Sequence, residues 1–196
     1  MTAEFPRHAD HPVDPQFLTR WSRRSFTGEP VAAADLQTMF EAARWAPSSA
    51  NVQPWRFLYA IAGTENFPLF LEQLMPFNQM WAKKAGALIL IVSHTKMERQ
   101  GNVITSESHG FDSGAAWGSF ALQAHLLGYS AHGMGGFFRD KARAALKVPA
   151  DYELQAFIAV GKPGKVEDLP PDFQGREVPS PRKTLNEIAF EGTFPG

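Results

Sequence analysis

Three arginines and two serines lie close together in residues 20–26 and form the first group whose types and spacing could do chemistry. The segment reads RWSRRSF. Guanidinium groups bind phosphate through paired hydrogen bonds, hydroxyls add further donors, and a phosphate ester carries a charge of about −1.5 to −2. The segment is therefore a candidate phosphate site. The competing interpretation is a basic surface that faces solvent.

A second group, residues 47–55, combines uncharged polar side chains with proline and tryptophan. It reads PSSANVQPW. Ser, Asn and Gln supply donors and acceptors without charge, which suits a planar heterocycle whose edge carries carbonyls and ring nitrogens. The same residue types are common in an ordinary polar turn, so both interpretations stay open.

Two weaker signals lie nearer the C-terminus. Residues 132–137 read HGMGGF, and the adjacent Gly135 and Gly136 would let backbone amides approach a ligand closely. A tight turn explains the same pattern. Arg182 and Lys183 add two cations to the segment PRKTL, where plain surface charge is the alternative.

Other kinds of site have no pattern behind them. The six histidines show no ligand spacing and the chain has no cysteine, so we predict no metal site. The sequence contains neither a GxSxG nor a Walker A pattern, so neither a serine hydrolase nor a P-loop protein is predicted.

The segments that must position these residues alternate between helix and strand patterns. A short helix opens at Pro15, and apolar spacing predicts a longer helix over 33–45. A third helix is predicted from Asp112, as N-cap, to Leu127, and a surface helix over 139–147. Strands are predicted over 55–61, 87–93, 129–134 and 154–160. The alternation by itself favours a doubly wound parallel sheet.

Composition bounds the class of protein. The 196 residues fit one domain, and 44% hydrophobic residues supply its core. Nineteen basic against 20 acidic residues give a net charge of −1, so we expect neither nucleic acid nor a membrane as a partner. Because cysteines, a membrane-length apolar run and a signal-peptide pattern are all absent from the sequence, the expected location is the cytoplasm.

Taken together, the four groups and their order resemble the FMN-dependent nitroreductase family. The resemblance extends from Arg20 to Leu185 and is most specific in the two motifs at 20–26 and 47–55. It implies an α+β fold, a nitroreductase-like sandwich whose central, mainly antiparallel sheet is flanked by helices. It also implies an intertwined homodimer with FMN at the interface. On strand direction we follow the resemblance rather than the alternation.

The resemblance implies a phosphate grip and a catalytic arginine. Arg20, Ser22 and Arg182 would bind the FMN phosphate, with Lys183 as a possible helper. Arg24 would face the N1 and C2 carbonyl edge of the flavin ring, where a fixed positive charge would stabilise the reduced flavin by about 1.5–3 kcal/mol.

The resemblance also implies contacts to the rest of the flavin. Pro47 opens the motif from which a partner subunit would place Ser48, Ser49 and Asn51 along the ring and ribityl chain, with Gln53 near them. Asn78 would reach the pyrimidine edge. Backbone amides of Gly135 and Gly136 would lie near N5 and the C4 carbonyl.

Two tryptophans depart from the family pattern. Trp21 stands where a basic residue is common in the family, and this change is expected to have little effect. Trp81 stands where some members place a second cation near the ring, which would alter redox tuning or substrate choice.

The chain is expected to divide into three parts. Residues 1–14 form a flexible leader, 15–165 the FMN-binding domain, and 166–196 an extension that packs on the partner subunit. The extension is rich in proline and contains apolar side chains that are stabilised only if covered. These are Phe173, Leu185, Ile188, Phe190 and Phe194.

The function implied is an FMN-dependent oxidoreductase that takes hydride from NADH or NADPH. A ping-pong mechanism would pass it to a small-molecule acceptor such as a nitroaromatic or a quinone. Two alternatives stay open: a flavin-binding carrier or sensor without turnover, and an FMN reductase specific for one metabolite. The polar segment from His94 to Phe111 is the expected lid over the flavin.

Overall fold

A four-stranded antiparallel sheet forms the centre of the fold. The computed structural model describes residues 7–195. The strands of the sheet are β1 (Trp55–Ile61), β2 (Ala87–His94), β5 (Ser130–Met134) and β6 (Tyr152–Gly161). They lie in the order β1-β2-β6-β5, and every neighbouring pair is antiparallel. The four predicted strands are confirmed, and their antiparallel order agrees with the resemblance.

The parallel sheet favoured by the alternation of elements is wrong, and the register shows why. Ile61, the last residue of β1, pairs with Ala87, the first of β2. The connection between them therefore leaves and returns at the same end of the sheet, as a long hairpin loop would. It contains two short helices that the sequence analysis did not predict, α3 (Asn66–Leu71) and α4 (Pro76–Ala82).

Helices cover both faces of the sheet. On one face lie α2 (Ala33–Arg44) and α5 (His109–Leu126), and on the other α3 and α4. Strand β2 is buried on both sides because its residues alternate between the two cores: Ile89 and Ile91 face α2 and α5, whereas Leu88 and Leu90 face α3 and α4. The remaining helices are α1 (Pro15–Thr19), α6 (Arg139–Ala145) and α7 (Pro171–Gln174).

Helix α5 begins three residues before the predicted N-cap. Its N-cap position is Ser108, and Asp112 lies buried in the first turn. The Asp112 carboxylate accepts hydrogen bonds from the Ser108 hydroxyl (3.0 Å) and the Ser49 amide (3.3 Å). Asp112 therefore ties the helix to the second motif instead of capping it.

The segment predicted as a lid contains a hairpin. Strands β3 (Lys96–Arg99) and β4 (Asn102–Thr105) pair antiparallel outside the main sheet. Both strands are largely exposed. They line a cavity of about 410 Å³ together with Ser49 and Ala50 of the second motif.

The C-terminal segment first packs on its own chain and then becomes exposed. Phe173 is fully buried in the core beside α3 and α4, so the expectation that it needs cover from a partner is wrong. Leu185, Ile188, Phe190 and Phe194 are exposed, and their packing on a partner remains a prediction. Residues 1–6 of the leader and residue 196 of the extension lie outside the described residues.

Within residues 7–195, no helix has both the length and the apolar character needed to cross a membrane. Over the same range, no three His, Asp or Glu side chains converge in the way that metal ligands do.

Candidate active site

Backbone hydrogen bonds hold the end of the first motif against the end of β6. The amide of Thr27 donates to the Lys162 carbonyl (3.1 Å), and the amide of Gly164 donates to the Ser25 carbonyl (2.9 Å). A Cβ at Gly164 would lie 2.7 Å from the carbonyl carbon of Phe26, so only glycine permits this close approach. Because residues 25–27 are held in this way, the preceding residues of the motif have a fixed position beside the sheet.

Those preceding residues line a cavity of about 400 Å³, which we call the arginine cavity. Strand β5 and the C-terminal residues 176–182 complete its wall. Among the described residues, no aspartate or glutamate lines it, whereas five arginines do: Arg7, Arg20, Arg24, Arg176 and Arg182. Like charges gathered in this way are stabilised by a bound anion.

Arg20 and Ser22 offer hydrogen-bond donors to that anion. Within residues 7–195, the Arg20 guanidinium and the Ser22 hydroxyl make no hydrogen bond, although both line the cavity. Burial, and next the charge of Arg182, lower the pKa of Arg20. Arg182 itself bonds only the carbonyls of Ser180 and Pro181, at 3.3 and 3.0 Å. The cavity therefore combines open donors with unbalanced positive charge, a donor set that fits a phosphate group.

Arg24 has a different environment from Arg20 because it lies beside a buried carboxylate. Glu177 accepts hydrogen bonds from the Arg24 amide (2.9 and 3.0 Å), the Ser25 amide (2.9 Å) and the Ser25 hydroxyl (2.8 Å). Its carboxylate lies 4.0 Å from Nη1 of Arg24. Burial and then Arg176 lower the pKa of Arg24, while Glu177 raises it. Glu177 thus fixes the backbone of the motif, while the Arg24 guanidinium itself donates to the Arg176 carbonyl at 3.5 Å.

His132 of β5 places a neutral ring in the cavity wall. Its Nδ1 donates to the Arg23 carbonyl (3.0 Å), and its ring lies 4.8 Å from that of Trp81 between centroids. Burial, opposed by hydrogen bonding to backbone carbonyls, lowers the pKa of His132 to about 4. The Trp81 indole is fully buried, and its N–H has no partner within the described chain. Trp81 and His132 therefore add no positive charge next to Arg24 at neutral pH.

The second motif forms a strained loop outside the arginine cavity. Ala50, Asn51 and Gln53 all have positive φ, at 49°, 56° and 51°. Such left-handed conformations are uncommon for residues other than glycine and are found most often at functional sites. The Ser48 hydroxyl holds the loop closed by accepting the Gln53 amide at 3.0 Å. None of residues 47–53 lines the arginine cavity of the same chain.

Asn78 and the glycine pair meet just beyond β5. The Asn78 side-chain amide donates to the Gly136 carbonyl at 2.9 Å, and a Cβ on Gly136 would lie 2.7 Å from that nitrogen. Gly135 has open space where a Cβ would lie. This junction follows His132 by three to four residues, so β5 connects it to the arginine cavity.

The structure therefore brings together only part of the predicted site. Arg20, Ser22, Arg24 and Arg182 share one cavity, whereas Lys183 lines a different one beside residues 8–13. Sequence reasoning missed Arg7, Glu177 and the role of His132. His132 did lie in the quoted segment HGMGGF, but Arg7 and Glu177 are far from the first motif along the chain and belong to no recognisable pattern.

Comparison with known proteins decides the family. The model of the nitroreductase family matches residues 18–66 and 62–162, which is most of the chain. The chain belongs to the nitroreductase family. Among curated relatives, a protein of Thermus thermophilus named NADH dehydrogenase is 27% identical over 175 aligned residues, covering 76% of this chain and 85% of the relative.

Solved nitroreductase-family structures share the fold. A crystal structure of an oxidoreductase containing FMN is 48% identical, covers 100% of both chains and superposes with a TM-score of 0.95. A nitroreductase from Desulfovibrio desulfuricans in complex with FMN is 26% identical, covers 95% of this chain and 100% of that one, and has a TM-score of 0.71. The predicted α+β nitroreductase fold is confirmed.

Proposed function

We propose that this protein is an FMN-dependent NAD(P)H oxidoreductase that reduces electron-poor acceptors such as nitroaromatics or quinones. The observation that carries the proposal is the arginine cavity, in which Arg20 and Ser22 have open donors and no carboxylate lines the wall among the described residues. Membership of the nitroreductase family and the FMN-containing relatives support the phosphate of FMN as the anion that this cavity binds.

The residues present fit FMN, and each would hold a different part of it. Arg20, Ser22 and Arg182 would bind the phosphate, because their donors face the cavity without competing acidic groups. The Asn78 side chain and the amides of Gly135 and Gly136 would bind the polar edge of the ring. Lys183 would contribute long-range charge only, since it lines another cavity.

When bound, FMN supplies the hydride chemistry, accepting two electrons from NADH or NADPH and giving them to the acceptor. The chain supplies electrostatics and orientation. The Arg24 backbone is held by Glu177 and its guanidinium lies in the cavity wall, where a fixed positive charge stabilises developing negative charge by about 1.5–3 kcal/mol. His132 and Trp81 are neutral at pH 7, so the positive charge on this side of the cavity comes from Arg24 and its neighbour Arg176.

We further propose that the site is completed by a second copy of the chain. Large apolar side chains are exposed on α1, at the C-terminal end of α2 and on α5, and contact with water does not stabilise them. A homodimer would cover them and would bring the loop 47–53 of one subunit to the arginine cavity of the other. The most exposed are Phe111 (85%), Trp45 (77%), Leu126 (63%) and Phe17 (55%).

The experiment that tests the proposed function starts from the purified protein. Acid release should yield FMN rather than FAD, because the cavity suits a terminal phosphate, and NADH or NADPH should be consumed in the presence of a nitroaromatic or quinone. Bound FMN without consumption of either nicotinamide would favour the carrier or sensor. Turnover with a single metabolite, and none with the general panel, would favour the specific reductase.

A further inference from the structure

Arg7 connects three separate segments of the chain at the rim of the arginine cavity. Its Nε donates to the Ser180 carbonyl (3.0 Å), and its Nη1 donates to the carbonyls of Arg20 (2.8 Å) and Leu18 (3.2 Å). The N-terminal segment is thereby joined to the first motif and to the C-terminal segment. All three acceptors are backbone carbonyls, and no aspartate or glutamate within residues 7–195 forms an ion pair with Arg7.

Within residues 7–195, the Nη2 group of Arg7 is left to bind a ligand. This group makes no hydrogen bond to residues 7–195, and the Arg7 side chain lines the same cavity as Arg20, Ser22 and Arg182. Burial, followed by the charges of Arg182 and Arg20, lowers the pKa of Arg7. Three guanidinium groups therefore share one small space, and their mutual repulsion is relieved by an anion of more than one negative charge.

We propose that Arg7 is a third phosphate-binding arginine, which reaches the cofactor site from a segment outside the family domain. The family match begins at residue 18, so Arg7 belongs to the part of the chain that lies before it. The ligand chemistry is a phosphate monoester in its dianionic form, the charge state that balances clustered guanidinium groups better than a monoanion. The inference rests on the proposed function, since it takes the phosphate to be that of FMN.

The geometry gives Arg7 two roles that an experiment separates. Its bonds to the Ser180 and Arg20 carbonyls shape the cavity, and its charge attracts phosphate. Riboflavin has the ring and ribityl chain of FMN but no phosphate. A loss of shape would weaken the binding of both flavins, whereas a loss of charge would weaken FMN alone.

The test is a fluorescence titration of the full-length apoprotein with FMN and with riboflavin. Arg7→Gln should raise the Kd for FMN about 10- to 100-fold and that for riboflavin by no more than about twofold, because loss of the bonds to backbone carbonyls affects both flavins alike, whereas loss of the charge-assisted contact to phosphate affects FMN alone. Arg7→Lys should give an intermediate Kd for FMN. The matched control is Arg143→Gln, at an arginine of α6 that also donates to three backbone carbonyls but does not line the cavity, and it should change neither value.

Each outcome bears on the inference. If Arg7→Gln weakens the binding of FMN and of riboflavin equally, Arg7 is a purely structural residue. If it changes neither affinity, Arg7 is not part of the site. Either result overturns the inference and leaves the proposed function intact. A wild-type protein that binds FMN no more tightly than riboflavin would overturn the proposed function as well.

Discussion

Arg20 and Arg24 lie four residues apart and line the same cavity, but their surroundings give them different tasks. The Arg20 guanidinium has no hydrogen-bond partner within the described residues, whereas that of Arg24 lies beside the buried carboxylate of Glu177. A guanidinium without a protein partner is suited to bind a ligand. An arginine whose backbone is fixed by a buried carboxylate, as Arg24 is by Glu177, is suited to present charge at a fixed position.

This difference predicts that the two arginines respond differently to replacement. Arg20→Ala should raise the Kd for FMN about 10- to 100-fold, the value of a charge-assisted contact to phosphate. Arg24→Ala should retain most of the affinity but slow reduction of bound flavin by NADH or NADPH and lower its midpoint potential. Flavin titrations and stopped-flow reduction measure the two effects. Indistinguishable behaviour of the variants would contradict this division of labour.

His132 makes stability depend on pH. Burial lowers its pKa from 6.5 to about 4, so as pH falls below 6.5 the unfolded chain binds a proton that the folded chain excludes. By linkage, the contribution of His132 to stability is present above pH 6.5 and is lost as pH falls toward 4. Between about pH 7.5 and pH 5 the loss should be about 2 kcal/mol.

The test compares wild type with His132→Asn in urea unfolding at both pH values. The asparagine amide can still donate to the Arg23 carbonyl but does not titrate, so the variant should lose about 2 kcal/mol less than wild type between them. His11→Asn, at an exposed position, is the control and should behave as wild type. A pH dependence identical in wild type and His132→Asn would refute the role given to burial.

The sequence could predict part of the site because some of its residues are grouped along the chain. Arg20, Ser22 and Arg24 lie within five positions, so their convergence follows from local geometry. Arg7 and Glu177 lie 13 or more positions outside that motif and reach it only through the folding of both chain ends, which no local pattern encodes. The backbone strain at residues 50–53 could not be predicted from the sequence either, because alanine has no preference for a positive φ.

At the scale of elements, the loop 47–53 stores conformational strain. Ala50 has φ 49° and ψ 26°, a left-handed conformation that costs a residue with a Cβ about 1–2 kcal/mol. Glycine adopts it without that cost but loses more entropy on folding. The loop is closed by the Ser48 hydroxyl and tied to α5 through Asp112, so the strain is held by its neighbours.

Relief of that strain should be measurable as stability. Ala50→Gly is expected to raise the free energy of unfolding by about 0.5–1 kcal/mol, whereas the control Ala42→Gly, inside α2, should lower it by about 1 kcal/mol. Urea unfolding at one protein concentration measures both. If Ala50→Gly destabilises the protein as much as Ala42→Gly does, the loop is not strained.

The sequence predicted the long elements of the fold and missed the short ones. Strands β1 and β2 and helix α2 carry strong apolar patterns, and their bounds agree with the structure to within a residue. Helices α3 and α4 have six and seven residues, too few for a clear period. Apolar periodicity could not predict strand direction. The direction depends on where the connection that leaves Ile61 re-enters the sheet, and it re-enters at Ala87, the residue that pairs with Ile61.

At the scale of the whole molecule, the exposed apolar surface predicts a homodimer. The cofactor site would be buried only in that dimer. Phe111 is 85% exposed on α5. An interface that covers α1, α2, α5 and the C-terminal residues should exceed about 2,000 Å², the range of obligate dimers. A charged side chain placed within that interface should separate the subunits, because the charge would be buried without a partner.

Phe111→Glu should therefore give a monomer that has lost FMN, measured by sedimentation velocity with detection of flavin absorbance. Leu69→Glu is the matched control, because Leu69 lies on α3 at the opposite face of the sheet, and that variant should remain dimeric and yellow. A wild-type monomer loaded with FMN at micromolar concentration would contradict the shared site.

In the proposed function, the arginine cavity holds FMN for two-electron exchange between a nicotinamide and an acceptor. Anaerobic titration of the purified protein with NADPH and with NADH, followed by its flavin absorbance, tests this most directly. We predict that at least one nicotinamide bleaches the flavin at one equivalent per site and that a nitroaromatic or quinone added afterwards restores the oxidised spectrum. A flavin that neither nicotinamide reduces, or a protein that FMN cannot reconstitute, would contradict the account.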